Sequence, residues 1–186
     1  FTSIKEGSSY TLTAIKDFTY DMNGNVTEVR EYDFVPYSSV PRTNGRPTGL
    51  PSNASTYLKR VTKTVFYNQA PTSGSTSYSD ANIYIFANPS KLLNLPWKVE
   101  VRPTTSDAVK SYTEMLYDYT DRTQSNTKAG NLIETRVWDD STNASVTVPL
   151  TDSNSIKTES TYNNYGQPIT TKDANNVVTQ ITYGNI

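Results

Sequence analysis

From residue 8 onward, apolar and polar positions alternate in short runs separated by Asn, Asp, Gly and Pro. Tyr10, Leu12 and Ala14, then Phe18 and Tyr20, fall on every second position, the period of a β-strand with one covered face. Asn23-Gly24-Asn25 then supplies the positive-φ residues of a tight turn. Residues 26–32 return as the partner strand, kept partly wet by Glu28, Arg30 and Glu31. The pattern predicts a hairpin over 8–35. It returns over 112–138, and again over 156–183, where Val177, Thr179, Ile181 and Tyr183 are expected to share one face of a last strand.

Between these hairpins the alternation breaks and resumes. Prolines 36, 41, 47 and 51, with Asn44-Gly45 and Gly49, predict a long loop over 36–56 that decorates the surface. Alternation over 57–67 predicts a strand, and 69–80 and 120–129 read as further polar loops. Ile83 to Phe86 is strand-sized, and Asn88-Pro89-Ser90 resembles the cap of one helical turn through Leu93. Residues 95–101 read as an edge strand, with proline near the start and Trp97, Val99 and Val101 on one face. Short strands joined by Asn/Gly turns predict an all-β antiparallel fold over the whole of 1–186, with little or no helix.

Composition narrows the function classes. The 186 residues suffice to bury a core, but the apolar share is 34%, low for a thick two-layer core. Fourteen tyrosines against five phenylalanines, with abundant Thr, Ser and Asn, suit thin sheets with a wet face. Seventeen basic and eighteen acidic residues leave no electrostatic footprint for nucleic acid. No apolar run approaches the roughly 20 residues of a membrane-spanning helix. Cysteine and histidine are absent, which excludes thiolate chemistry, Cys/His zinc sites and a Ser–His–Asp triad. A cysteine-free, Thr/Asn/Tyr-rich chain matches bacterial secreted and surface proteins, and a segment of a longer polypeptide is expected.

One phrase recurs: a β-branched or aromatic run, then Tyr-Asp or Tyr-Asn, then a glycine turn and another strand. The copies are Tyr20-Asp21…Gly24-Asn25, Tyr117-Asp118…Gly130-Asn131 and Tyr162-Asn163…Gly166-Gln167. From Leu92 onward, a Leu-Pro strand, two such hairpins, the turn Asp173-Ala174-Asn175-Asn176 and a Thr-rich strand ending in Tyr183 follow in order. In these residues the chain resembles the YD-repeat, or RHS-repeat, family. The likeness is good over 92–186, moderate over 10–35 and poor over 36–82. It implies hairpins stacked laterally into an extended sheet, which in larger members spirals into a hollow shell around a toxin polypeptide. The resemblance also implies partners: neighbouring repeats of the same polypeptide, self-association through edge strands, or an encapsulated polypeptide. The glycine-rich autoproteolytic core motif of the encapsulating members is absent from the sequence.

Each candidate residue has a structural and a chemical reading. The Tyr-Asp pairs serve either as turn clamps or as repeated sugar sites, and a spacing that follows the turn favours the clamp. Trp97 and Trp138 are either packing residues or ligand-facing aromatics for glycans. Asp139-Asp140 with Asp118 and Asp121 is a weak calcium pattern, because calcium needs about 6–8 oxygens and no DxDxDG run exists. Glu100, Glu114, Glu134 and Asp139 offer carboxylate pairs for a hydrolase, as any β-protein this acidic does. Nothing calls for a cofactor. Sequons begin at Asn25, Asn53 and Asn143, the last two in expected loops. The reading favoured is a non-catalytic structural scaffold, with a carbohydrate-binding or adhesive module as the alternative and a carboxylate hydrolase behind it.

Overall fold

A computed structural model describes residues 1–6, 8–67, 94–118, 130–141 and 145–184. The expected strand at 83–86, the helical turn at 88–93 and the loops 69–80 and 120–129 lie outside the described residues.

The protein is an antiparallel β-structure. Ten strands form one sheet: β1 (Thr2–Glu6), β2 (Ser9–Tyr20), β3 (Val26–Pro36), β6 (Leu58–Phe66), β7 (Pro96–Arg102), β8 (Ser111–Tyr117), β9 (Leu132–Trp138), β10 (Ser155–Tyr162), β11 (Pro168–Lys172) and β12 (Val178–Gln180). Their order in the sheet is their order in the chain, a continuous meander with every neighbour antiparallel. β4 (Arg42–Thr43) and β5 (Arg46–Pro47) form a separate small hairpin. The described helical content is two 3-10 turns, Tyr37–Ser39 and Ala54–Tyr57.

Directly opposed residues of antiparallel strands share a face, so the register sorts the side chains. One face carries cross-strand rows of charge: Glu28–Lys63–Glu100, Lys98–Glu114–Arg136–Lys157 and Glu134–Glu159–Lys172. The other carries the neutral rows Val29–Thr62–Val101–Ser111 and Thr64–Val99–Thr113–Val137–Ile156, with one charged row, Lys16–Glu31–Arg60, across β2, β3 and β6. The charge rows are laced by ion pairs, among them Lys63–Glu28 (3.9 Å), Lys98–Glu114 (3.9 Å) and Lys172–Glu159 (3.1 Å).

Two small apolar clusters supply the core. Ile15, Val35 and Val40 pack with Tyr32, Leu50 and Tyr57; Tyr112, Trp138 and Leu150 pack with Val109 and Val146. Each joins sheet residues to a connection folded back over the sheet. The expectation that 36–56 merely decorates the surface is therefore corrected: this connection is a strap that buries Val40, Pro51 and Ala54. Residues 145–154 do the same through Leu150. Straps of this kind let a thin sheet bury apolar surface without a second layer, in line with the low apolar share.

Three further expectations change. In β2 the buried positions are Thr13 and Ile15, while Tyr10, Phe18 and Tyr20 are exposed, so the apolar alternation marked the outer face. The 95–101 strand is interior: β7 lies between β6 and β8, and Pro96 is accommodated as its first residue, opposite Phe66 beside a register shift. The last strand spans only Val178–Gln180, all three exposed, rather than 177–183.

Candidate functional site: the Tyr-Asx turn edge

Because the strands alternate in direction, the turns after β2, β8 and β10 fall on one edge of the sheet. The three Tyr-Asx motifs all sit there. In the first, the Asp21 carboxylate folds over the turn: Oδ1 accepts from the Asn23 N–H (2.9 Å) and the Asn25 N–H (2.8 Å), and Oδ2 accepts from Asn25 Nδ2 (2.9 Å). In the second, Asp118 Oδ1 accepts from the Gly130 and Asn131 N–H groups (2.8 and 2.9 Å), and Oδ2 accepts from Asn131 Nδ2 (2.8 Å). In the third, Asn163 Oδ1 accepts from the Tyr165 and Gln167 N–H groups (2.9 and 3.0 Å), while its Nδ2 donates to Gln167 Oε1 (2.8 Å). A carboxylate and an amide thus perform the same task, since each presents an oxygen to otherwise orphaned turn N–H groups.

The glycines complete the turn. Gly24 (φ 83°), Gly130 (φ 78°) and Gly166 (φ 75°) occupy the left-handed region, where a Cβ is disfavoured. A fourth copy lies on the opposite edge, after β11. Asp173 Oδ1 accepts from the Asn175 and Val177 N–H groups (both 2.9 Å), and Asn176 (φ 65°) stands in the glycine's place.

Just inside the Tyr-Asx edge, the register shifts by one residue at the same level in four strand pairs. Pairing passes from Thr19–Glu28 to Tyr20–Val26, stepping over Thr27, and likewise steps over Trp97, Ile133 and Ile169. A bulge at a fixed distance from each turn adds local twist. Sequence reading missed one member of this series. Phe66 ends β6 at the same level, opposite Pro96, and Tyr67 follows it in the place of the Asx residue, its N–H donating to Leu95 O (3.0 Å) as the Asp21 N–H does to Asn25 O (2.9 Å). The Tyr-Asn step at 67–68 did not signal it, because the register puts Phe66 rather than Tyr67 in the tyrosine's place.

The tyrosines do not form a stack along the edge. Tyr67 meets Tyr117 edge-on (centroids 5.6 Å apart), while the hydroxyls of Tyr67, Tyr162 and Tyr183 donate to the backbone carbonyls of Met115 (2.8 Å), Leu132 (2.8 Å) and Pro168 (2.9 Å). Burial, with Tyr117 and Glu114 nearby, pushes the Tyr67 phenol up to about 12. Trp138 lies in the core with 9% of its surface exposed. Trp97 is 39% exposed, but it packs against Tyr67 (5.7 Å) and carries the Lys98 ammonium 3.9 Å above its ring.

The carboxylates proposed for catalysis or calcium are engaged elsewhere. Glu114 Oε2 accepts from the Leu150 N–H (3.0 Å) and Oε1 from the Tyr112 hydroxyl (3.2 Å). Glu100 receives Arg102 Nε (3.1 Å), and Glu134 pairs with Arg136. Asp139 Oδ1 accepts from Ser141 N–H and Oγ (3.0 and 2.6 Å). Asp121 lies outside the described residues, and Asp118 is taken up by its turn. Among the described residues no group of three or more acidic side chains is placed to hold a metal.

A hollow of about 610 Å³ opens on the charged face beside β12, lined among others by Glu134, Glu159, Tyr162, Asn163 and Lys172. Glu134 and Glu159 are directly opposed across β9 and β10. Hydrogen bonds from Lys172 and Lys157 hold the Glu159 carboxyl below its ordinary range, the wrong direction for a general acid that must keep a proton. The chain matches no family model, and no curated protein matches it. Among the described residues no helix is long and apolar enough to cross a membrane.

Proposed function

We propose that this chain is a structural strip, a non-catalytic segment of a YD/RHS-type repeat polypeptide that builds a wall in a secreted or cell-surface assembly. The observation that supports it best is the recurrence of one unit, a Tyr, an Asx clamp and a bulge, along a single edge of a one-layer meander. Such a unit sets turn and twist at each hairpin and leaves the sheet free to continue laterally. Exposed β1 and β12 are templates for further pairing, so neighbouring repeats of the same polypeptide are the natural partners. Enclosure of a toxin polypeptide is the role the resemblance adds, and bacterial secretion is the setting the composition suits.

The adhesive alternative requires a row of exposed rings; Tyr117 and Trp138 are buried, while Tyr10, Phe18 and Tyr20 on β2 are exposed, so a glycan array is the measurement that separates the two readings. The hydrolase alternative requires a carboxyl held high, and among the described residues the carboxyls whose titration is displaced, Glu31, Asp33, Asp152 and Glu159, are held low. Cryo-electron microscopy of the native polypeptide tests the proposal. The expected image shows the sheet continuing past β1 or β12 into further strands. An unpaired edge on both sides, or saturable binding on a glycan array, would sink it.

A further inference from the structure

The sequence holds two Asn-Gly steps, Asn23-Gly24 and Asn44-Gly45, and the fold treats them oppositely. Asn-Gly is the dipeptide in which side-chain cyclisation meets least steric resistance, because glycine places no Cβ beside the attacking nitrogen. At the first step both backbone nitrogens are engaged. The Asn23 N–H donates to Asp21 Oδ1 (2.9 Å), and the Gly24 N–H, which would have to attack, donates to Asp21 O (3.0 Å).

The second step sits in the two-residue turn between β4 and β5, where Thr43 opposes Arg46 and Asn44 (φ 50°) and Gly45 (φ 77°) both lie in the left-handed region. Asn44 and Gly45 are exposed. A Cβ would meet nothing within 4 Å at Gly45 or at Gly24, so the two steps differ in hydrogen bonding and not in crowding. Among the described residues the Gly45 N–H has no acceptor and the Asn44 amide has no partner. The contact at this turn falls on the carbonyl: Arg42 Nη1 donates to Gly45 O (3.3 Å).

We propose that Asn44 is a spontaneous modification site of the folded protein, deamidating through a cyclic imide, while Asn23 is protected by the Asp21 clamp. The Gly45 nitrogen bonds to Asn44 Cγ, its proton leaves with the side-chain amide, and ammonia departs. Water then opens the imide at either carbonyl, giving aspartate or isoaspartate. No oxidant, reductant or cofactor enters. The product adds a carboxylate to the strap, within the turn that also holds Arg42 and Arg46. Arg42 anchors that strap to the sheet, its guanidinium 3.7 Å over the Tyr37 ring and its Nη2 donating to Thr13 Oγ1 (3.3 Å).

The test is prolonged incubation of the intact chain in mildly alkaline buffer, with peptide mapping by mass spectrometry and enzymatic isoaspartate detection. The Asn44 peptide is expected to gain the mass of amide-to-acid exchange with an isoaspartate fraction, while the Asn23 peptide stays unchanged. In concentrated urea both steps should convert at similar rates. Asn44→Gly, which keeps a residue suited to positive φ, should remove the conversion. Asp21→Ala, which deletes the side-chain bonds to the Asn23 and Asn25 N–H groups that hold the turn while keeping the carbonyl that accepts from Gly24, should speed conversion at Asn23-Gly24 in the folded protein. Asn44 persisting as long as Asn23 under native conditions would overturn the proposal. So would Asn23 remaining slow in urea, because the clamp would then not be what protects it.

Discussion

Asp21 and Asn25 are joined by three hydrogen bonds that close the β2–β3 turn: Asp21 N–H to Asn25 O (2.9 Å), Asn25 N–H to Asp21 Oδ1 (2.8 Å) and Asn25 Nδ2 to Asp21 Oδ2 (2.9 Å). Asp118 with Asn131, and Asn163 with Gln167, repeat the arrangement. Asp21 is buried, so its loss strands turn N–H groups away from water. Asp21→Ala is expected to cost about 1–3 kcal/mol, the range for orphaned buried donors. Asp21→Asn is expected to cost clearly less, because Asn163 already works as an amide clamp and Asn25 can turn its amide to match. Urea midpoints of the two variants check the ordering, and equal losses would refute the clamp.

The glycine of the turn gives a second ordering. At Gly24 (φ 83°) a Cβ meets nothing within 4 Å, so alanine brings backbone strain alone, about 1 kcal/mol. At Gly166 (φ 75°) a Cβ would come within 3.3 Å of Asn131 Oδ1, part of the neighbouring hairpin's clamp. Gly166→Ala should therefore destabilise more than Gly24→Ala. Gly24→Asn should be the mildest, since Asn176 adopts the same conformation at the Asp173 turn. Thermal melts of the three variants give the comparison.

The fold class, the three hairpins and the Asx clamps were legible because each announces itself by a Tyr-Asx pair and a glycine, within four residues at Asp21 and Asn163 and across a longer connection at Asp118. The covered face of β2 was not. Ile15 is buried by Val40, 25 positions away on a strap rich in proline. That contact comes from a return of the chain over the sheet, which strand alternation does not encode. The interior place of β7 was missed for a related reason. Pro96 reads as an edge signal, but the register shift opposite Phe66 absorbs its missing donor. The β6 member of the series escaped notice because Phe66 stands where the other strands end in tyrosine.

The two tryptophans should separate under substitution. Trp138 packs on Tyr112 and Leu150, so Trp138→Ala is expected to cost about 3–5 kcal/mol, the usual range for a buried tryptophan. Trp97 is partly exposed and should cost less, through lost contact with Tyr67 and Lys98. Intrinsic fluorescence offers a second measure. Acrylamide should quench Trp97 readily and Trp138 poorly, and the reverse would reject the assigned burial.

Acidification should weaken the sheet. Hydrogen bonds from Arg60 and Lys16 hold the Glu31 carboxyl below its ordinary value of 4.5, and those from Lys172 and Lys157 do the same for Glu159. The unfolded chain therefore binds these protons first. The stabilisation is present above the unfolded value and is lost as pH falls through the lower folded values. These carboxylates are partly solvent-exposed and screened, so the loss should be gradual and smaller at high salt. Lys172→Gln should raise the Glu159 pKa towards its ordinary value, read by carboxyl NMR titration. An unchanged titration would remove Lys172 from the pairing.

Tyr67 links three strands, and its chemistry gives the alkaline counterpart. Its hydroxyl crosses β7 to donate to Met115 O on β8 (2.8 Å), while its ring meets Trp97 on β7 (5.7 Å). Burial, then the nearby Tyr117 and Glu114, raises its phenol from 10 to about 12. The folded state thus resists ionisation where the unfolded chain does not. This contribution is complete below the unfolded value of 10 and declines as pH rises through about 12. Spectrophotometric titration of the folded chain should show several late-ionising phenols, since burial also raises Tyr112 and Tyr117, and Tyr67→Phe should remove one of them. The same variant leaves Met115 O without its donor and should lower stability by about 1 kcal/mol at neutral pH. If Tyr67→Phe melts with the parent chain at neutral pH, the hydroxyl contributes no tie between β6 and β8, and the Tyr-Asx edge is held by its turns alone.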